Sequence, residues 1–150
     1  MKNFASQKKI AFLYKAGRKK RLLNKNLKFP SEFFYGYIEL LEQGHKVEIF
    51  EENDLGFRLR NKYLDLVLIF ISKILFNIPI NMLFGFIFSG SYRKLYRFKT
   101  IIATTNALGI CLALSKKLGF LENEVIFINM GLFAKRQSIF KTFIYKRILE

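Results

Sequence analysis

The side chains of this sequence that could do chemistry gather at four short places. Gly17-Arg18 follows a short apolar run. Glycine lets a backbone approach a ligand closely, and arginine can fork two donors onto a phosphate. The G-x-G-x-x-G spacing of a dinucleotide site is missing, and a plain basic loop fits the same residues. Ser31, Glu32 and Tyr35 open a predicted helix whose N-terminus carries partial positive charge. There Glu32 would oppose an anion and suit sugar hydroxyls, or would simply compensate the helix dipole. Thr104-Thr105-Asn106 follow a further apolar run with hydroxyl and amide groups that suit a neutral polyol and equally suit helix capping. Asn129 and Gly131 follow the last such run and carry the same two readings.

Other chemistry is scarce. The chain has one His and one Cys. A single cysteine excludes a disulfide framework and a Cys-based zinc site within the chain, and favours a reducing compartment. Cys111 falls on the inward side of a predicted helix, as a small core residue would. His45 follows Gly44 at a helix-to-strand turn, whereas ligands of open α/β sheets bind beyond the carboxyl ends of strands. A structural role is expected for it, and hydrolase and metal readings weaken accordingly. No secretory signal is visible, because Ile10–Tyr14 is too short for the apolar core of one and no small-residue cleavage site follows. A cytosolic start is expected.

The elements that must position these residues alternate. Lys9–Tyr14 reads as a buried strand, followed by a long basic loop to Pro30. Ser31 is the predicted N-cap of a helix in which Phe33, Phe34, Tyr37, Ile38 and Leu41 recur at helical spacing, with Gly44 as its left-handed cap. Lys46–Phe50 is a second strand and Lys99–Thr104 a third. Asn106–Gly119 is a helix with Leu108, Cys111, Leu112 and Leu118 inward; Glu124–Asn129 is a fourth strand. Gln137–Leu149 is an amphipathic helix, with Phe140, Phe143 and Ile144 opposite Lys141, Lys146 and Arg147. Alternation of this kind predicts one α/β domain over residues 1–150, a Rossmann-like parallel sheet flanked by helices, with an apolar helical insertion around 62–97.

That insertion carries about fourteen strongly apolar residues between Leu66 and Phe86. At −0.3 to −0.6 kcal/mol each they favour bilayer insertion by roughly 4 to 8 kcal/mol, and Lys73 returns about 3. Hydropathy alone therefore admits a span over 64–88. Pro79, flanked by Asn77 and Asn81, breaks the stretch into halves too short for the roughly 20 residues a bilayer needs. Two helices lying in the membrane interface, with Leu66, Ile69, Phe70, Phe84 and Phe86 toward the lipid, or covered by a missing partner, are preferred over a full span, with plain core as the remaining alternative.

The charge is lopsided. Lys+Arg number 26 against 11 Asp+Glu, a formal net charge of +15, and no acid precedes Glu32. Such a basic stretch attracts phosphate-bearing partners, whether nucleic acid, nucleotide diphosphates or an anionic membrane surface. With 51% hydrophobic residues the chain is no disordered polycation.

Pro30-Ser31-Glu32-Phe33-Phe34-Tyr35-Gly36, followed by Leu40-Leu41-Glu42-Gln43-Gly44-His45-Lys46-Val47-Glu48, resembles the first helix and second strand of GT-B glycosyltransferases, and more narrowly the N-terminal half of family 4-like members. Thr104-Thr105-Asn106 and Asn129-Met130-Gly131 fall where that half places its cleft-facing loops. The resemblance covers most of residues 8–135. It implies the acceptor-binding half of an enzyme that transfers a sugar from a nucleotide-sugar to a lipid-linked or glycan acceptor, peripheral to the cytoplasmic membrane. Gly17, Arg18, Glu32, Tyr35, Thr104, Thr105, Asn106, Asn129 and Gly131 are then acceptor or ligand contacts, and no catalytic residue is assigned. The C-terminal donor domain of that family has no counterpart here. The resemblance therefore implies a truncated product, a split enzyme with a separate C-terminal chain, or a domain that no longer catalyses. No covalently bound cofactor is expected, and a nucleotide-sugar donor is expected only with a C-terminal half. Two rival readings remain: a basic nucleic-acid-binding module, though no recognition helix or aromatic RNA-binding strand is evident, and a small single-span membrane protein.

Overall fold

A computed structural model describes residues 9–23, 34–59, 61–75, 77–128 and 139–149. Four strands, β1 (Lys9–Tyr14), β2 (Lys46–Glu51), β3 (Thr100–Ala103) and β4 (Glu124–Phe127), form one parallel sheet in the order β2-β1-β3-β4. The side chains account for that order. β1 is apolar from Ile10 to Tyr14 and buried on both faces, as a central strand of a parallel sheet must be. β2 and β4 alternate charged or exposed with partly buried residues, which only an edge tolerates. Ile10 sits in register with Val47 on one side and Thr100 on the other.

Helices α1 (Arg18–Leu23) and α2 (Tyr37–Glu42) connect β1 to β2. Helices α3 (Lys62–Ile74) and α4 (Ile80–Phe88), with 3-10 turns at Glu52–Leu55 and Ser91–Leu95, carry the chain from β2 to β3. Helix α5 (Asn106–Lys117) joins β3 to β4, and α6 (Ile139–Leu149) follows. The step from β1 to β2 and the step from β2 to β3 run in opposite directions along the sheet. Right-handed crossovers then place their helices on opposite faces. On one face Ile10, Phe12 and Tyr14 pack with Tyr35, Tyr37, Leu40, Val47 and Ile49. On the other, Ala11, Leu13, Ile101 and Ala103 meet Leu55, Phe57, Leu83, Phe86, Leu95, Phe98, Leu108, Cys111 and Leu112.

The structure corrects several local expectations. The basic loop after β1 contains α1. The next helix begins at Tyr37, because Tyr35 (φ 52°) and Gly36 (φ 84°) are both left-handed, and a right-handed helix cannot run through such a pair. Ser31, Glu32 and Phe33 lie outside the described residues, as do Asn129 and Gly131. Leu118, expected inward, occupies the exposed cap position of α5. Among the described side chains of α6 the buried ones are Tyr145 and Ile148, which pack on Ile110 of α5, whereas Phe143 points to solvent.

Gly44 (φ 82°) ends α2 as expected: its N–H donates to the Leu41 carbonyl and that of His45 to the Leu40 carbonyl, so two otherwise orphaned carbonyls are satisfied. Between α3 and α4 the chain turns at Leu75–Pro79, with Asn77 at φ 62°. The Ser72 hydroxyl oxygen accepts from the Ile80 N–H at 3.1 Å, and the Asn77 N–H donates to the Ser72 carbonyl. The continuous span over 64–88 is thereby replaced by helices of 13 and 9 residues. Among the described residues no helix is long and apolar enough to cross a membrane.

Helix α4 lies against the backbone of 56–57. A Cβ on Gly85 would fall 2.8 Å from the Gly56 carbonyl oxygen and 2.9 Å from the Phe57 carbonyl carbon. Beside it the Phe57 and Phe86 rings stack with centroids 4.7 Å apart. Helix propensity alone would favour Gly85→Ala by about 1 kcal/mol. We expect the reverse, a loss of about 1–3 kcal/mol from overpacking, read as a lower urea midpoint at unchanged denaturant slope.

Candidate functional site

In an open α/β sheet, ligands bind beyond the carboxyl ends of the strands, at the point where strand order reverses. Here that point lies between β1 and β3, whose following segments leave toward opposite faces of the sheet. From β1 come Tyr14, the Lys15-Ala16-Gly17 turn and Arg18 at the start of α1. From β3 come Thr104, Thr105 and Asn106 at the start of α5. Gly17 has φ 88°, a conformation that favours glycine, with open space where a Cβ would sit. The 34–36 turn folds over the end of β1, and the Tyr35 ring stacks on Tyr14 at 6.5 Å.

Most polar groups at this edge already hold the backbone together. The Thr104 hydroxyl and backbone N–H both donate to the Leu13 carbonyl, at 2.9 and 3.1 Å, tying β3 to β1. The Thr105 hydroxyl oxygen accepts from the Leu108 N–H at 3.3 Å and is the N-cap of α5. Of the two readings open for these threonines, the structural one is therefore occupied. Asn106 stands half-buried in the first turn of α5.

Sequence reasoning missed two residues here. Tyr14 is fully buried, and its hydroxyl donates to the Phe34 carbonyl at 2.6 Å, so it clamps the 34–36 turn to the sheet. Burial, with smaller contributions from Tyr37 and Tyr35, pushes its hydroxyl well above the ordinary tyrosine range, and the nearby Arg18 charge opposes that. A tyrosine as the last residue of an apolar strand was the available signal. Glu51 ends β2; its carboxylate accepts from the Lys19 N–H at 2.6 Å, and its own N–H donates to Asp54 at 3.0 Å. The acidic run from Glu51 to Asp54 marked this strand end.

The remaining chemistry-bearing residues lie elsewhere. His45 stands before β2, at the amino edge, away from the crevice. Cys111 is buried among Leu108 and Leu112, and burial pushes its thiol up, leaving it inert as a nucleophile. Among the described residues no cluster of three His, Cys, Asp or Glu could hold a metal. A cleft of about 680 Å³ opens beside the α3–α4 crossover, lined by Asn53, Gly56, Arg58, Asn61 and Phe88. Of the residues expected at a membrane interface, Leu66, Phe70 and Phe84 are exposed and Ile69 is half-buried. Phe86 is corrected: it is fully buried against Phe57, because it lies on the face of α4 that covers the sheet.

Compared with known proteins, the chain matches no family model, no curated protein and no solved structure.

Two outcomes are expected. Thr105→Ala costs about 1 kcal/mol of stability in urea titration, while Thr105→Ser retains it, since only the cap oxygen is needed. Tyr14, Tyr145 and Cys111 are all held protonated by burial. Their folded values exceed the unfolded ones, so the unfolded chain releases these protons first as pH rises. The stability they contribute is intact at neutral pH and is lost progressively above about pH 9–10, where unfolded thiols and phenols ionise. Urea midpoints measured across that window fall for the natural chain and fall less for Tyr14→Phe.

Proposed function

We propose that this chain is the acceptor-binding half of a GT-B glycosyltransferase of the family 4-like kind. It works at the cytoplasmic face of a membrane, on a lipid-linked or glycan acceptor, with a companion half gripping the nucleotide-sugar. The observation that carries this reading is convergence: segments leaving the adjacent strands β1 and β3 bring Gly17, Arg18 and Asn106 to one crevice, with Tyr35 stacked over the end of β1. The Phe34-Tyr35-Gly36 turn, which carries part of the resemblance, shapes the approach to that crevice on one side of β1, while the Gly44-His45 cap lies at the amino edge of β2.

In this reading catalysis is mostly positioning. A guanidinium at Arg18 and an amide at Asn106 suit a polyol or its phosphate tail, held while one hydroxyl is presented to the anomeric carbon of the donor. The departing diphosphate is stabilised by cationic groups, most of them from the companion half. The Thr104 hydroxyl, donating to the Leu13 carbonyl, and the Thr105 hydroxyl, accepting from the Leu108 N–H, keep the crevice in shape and contact no substrate.

The purified 150-residue chain is expected to transfer no sugar from UDP- or GDP-linked donors, and robust turnover by it alone would overturn the division into halves. Binding of a polyprenyl-phosphate saccharide, followed by calorimetry, should weaken about tenfold in Arg18→Ala, the equivalent of roughly 1.4 kcal/mol, with an unchanged melting temperature. Retained acceptor affinity in that variant would remove Arg18 from the site, and tight RNA binding that collapses steeply with salt in place of saccharide binding would replace this reading with the nucleic-acid one.

A further inference from the structure

Helix α3 is built inside out. Its buried side carries Leu68 and Ser72, and its one acid, Asp65, accepts from the Asn81 amide of α4 at 3.2 Å. On a helical projection the opposite side is wholly apolar: Tyr63 is 84% exposed, Leu66 63%, Phe70 65% and Ile74 61%, with Val67 beside them. Helix α4 adds Phe84 and Phe88, whose exposed rings lie 5.4 Å apart. A helix bounded by water puts its polar residues outward, and apolar patches of this kind mark an interaction surface.

The charges around the patch select its occupant. Between Asp54 and Glu122, Asp65 is the only acid, against ten Lys and Arg. Lys62 and Lys73 are exposed and flank the apolar stripe along one side of α3, and Arg58 stands just before the helix. Long cationic stems along an apolar stripe, with their heads at its margin, fit a layer of hydrocarbon beneath anionic phosphates. A second copy docked through the same face would bring the same cations and no compensating acid beyond Asp65.

We propose that the α3–α4 hairpin docks on an anionic phospholipid surface, with Tyr63, Leu66, Phe70 and Ile74 entering the acyl boundary and Lys62 and Lys73 on headgroup phosphates. This deepens the membrane location within the transferase reading but stands on separate observations. Vesicle binding without sugar transfer by the two halves together defeats the transferase reading alone, and transfer without vesicle binding defeats this proposal alone.

The test is co-sedimentation of the full chain with phosphatidylglycerol-rich vesicles and with pure phosphatidylcholine vesicles. The expected result is binding to the former that weakens with salt and is much poorer on the latter. Val67→Ser with Phe70→Ser should lower partitioning roughly tenfold or more, and removal of each flanking charge (Lys62→Gln, Lys73→Gln) about fivefold. Both positions of the double variant are exposed, so its thermal melt without lipid should match that of the natural chain. The natural chain has no Trp, so Tyr63→Trp introduces a single reporter. Its emission should shift to the blue and be quenched by bromine-labelled acyl chains. Indifference of the natural chain to vesicles overturns the proposal, as does equal binding to both lipids. So do undiminished binding by Val67→Ser with Phe70→Ser, an equal loss in Leu41→Ser, an exposed position of α2 on the opposite face of the sheet, or a concentration-dependent dimer abolished by the α3 substitutions.

Discussion

Everything in this fold is arranged around one strand that water does not reach. β1 pairs on both sides and presents apolar side chains to both faces, with Phe12 and Tyr14 on one and Ala11 and Leu13 on the other. Fully burying each of the large ones is worth about 1.5–3 kcal/mol relative to exposure. That gain is available only if a neighbour lies on each edge and a helical layer covers each face. The chain meets both demands by laying β2 on one side, crossing back over β1, and laying β3 on the other. The reversal of direction that covers β1 also opens the crevice at its carboxyl end, so the candidate site is a consequence of how the core closes.

The polar groups near that crevice show what rigidity requires. Thr104 bonds β1, Thr105 caps α5, Tyr14 holds the 34–36 turn and Glu51 holds α1. At the other end of the sheet the buried Asn123 amide donates to the Leu95 and Phe98 carbonyls, and the Lys116 ammonium donates to the Asn123 carbonyl. Each of these bonds satisfies a backbone group, and those at Leu13, Phe34, Leu95 and Phe98 would otherwise be costly to bury. The frame they fix includes a tyrosine held at φ 52°. A non-glycine residue in that region costs energy and persists only where its surroundings enforce it; here the bond from Tyr14 to Phe34 and the stacked rings do so.

The α3–α4 hairpin answers to a different constraint. Its inner side supplies Leu83 and Phe86 to the core, while Gly85 lets the helix approach the 56–57 backbone. The sheet has no room for the rest of its apolar surface, so the stripe from Tyr63 to Ile74 faces away from the protein. The hydrophobicity of this segment thus exceeds what the core uses, while its Asp65 and Ser72 turn inward to meet α4.

How much of this was legible beforehand depends on the range of the interaction concerned. The four strands, the broken apolar segment and the glycine caps are local: runs of apolar residues, a proline between asparagines and a glycine after a periodic stretch fix backbone geometry within a few residues. The sequence alone therefore determined the α/β class, the parallel sheet and the strand ends from which the 15–18 and 104–106 segments leave. It misjudged the start of α2, where consecutive left-handed residues leave no compositional trace except a Tyr-Gly pair, and the inward faces of α5 and α6, where Leu118 and Phe143 are as apolar as the residues that are buried. It also placed Phe86 with Phe84 at one surface, although two residues along a helix point to nearly opposite sides. That the Thr104 hydroxyl ties β3 to β1, which tyrosine clamps a turn, and which side of an almost wholly apolar helix meets the core were decided only by tertiary structure. Those outcomes depend on partners tens of residues away, and periodicity carries no information about a partner that distant.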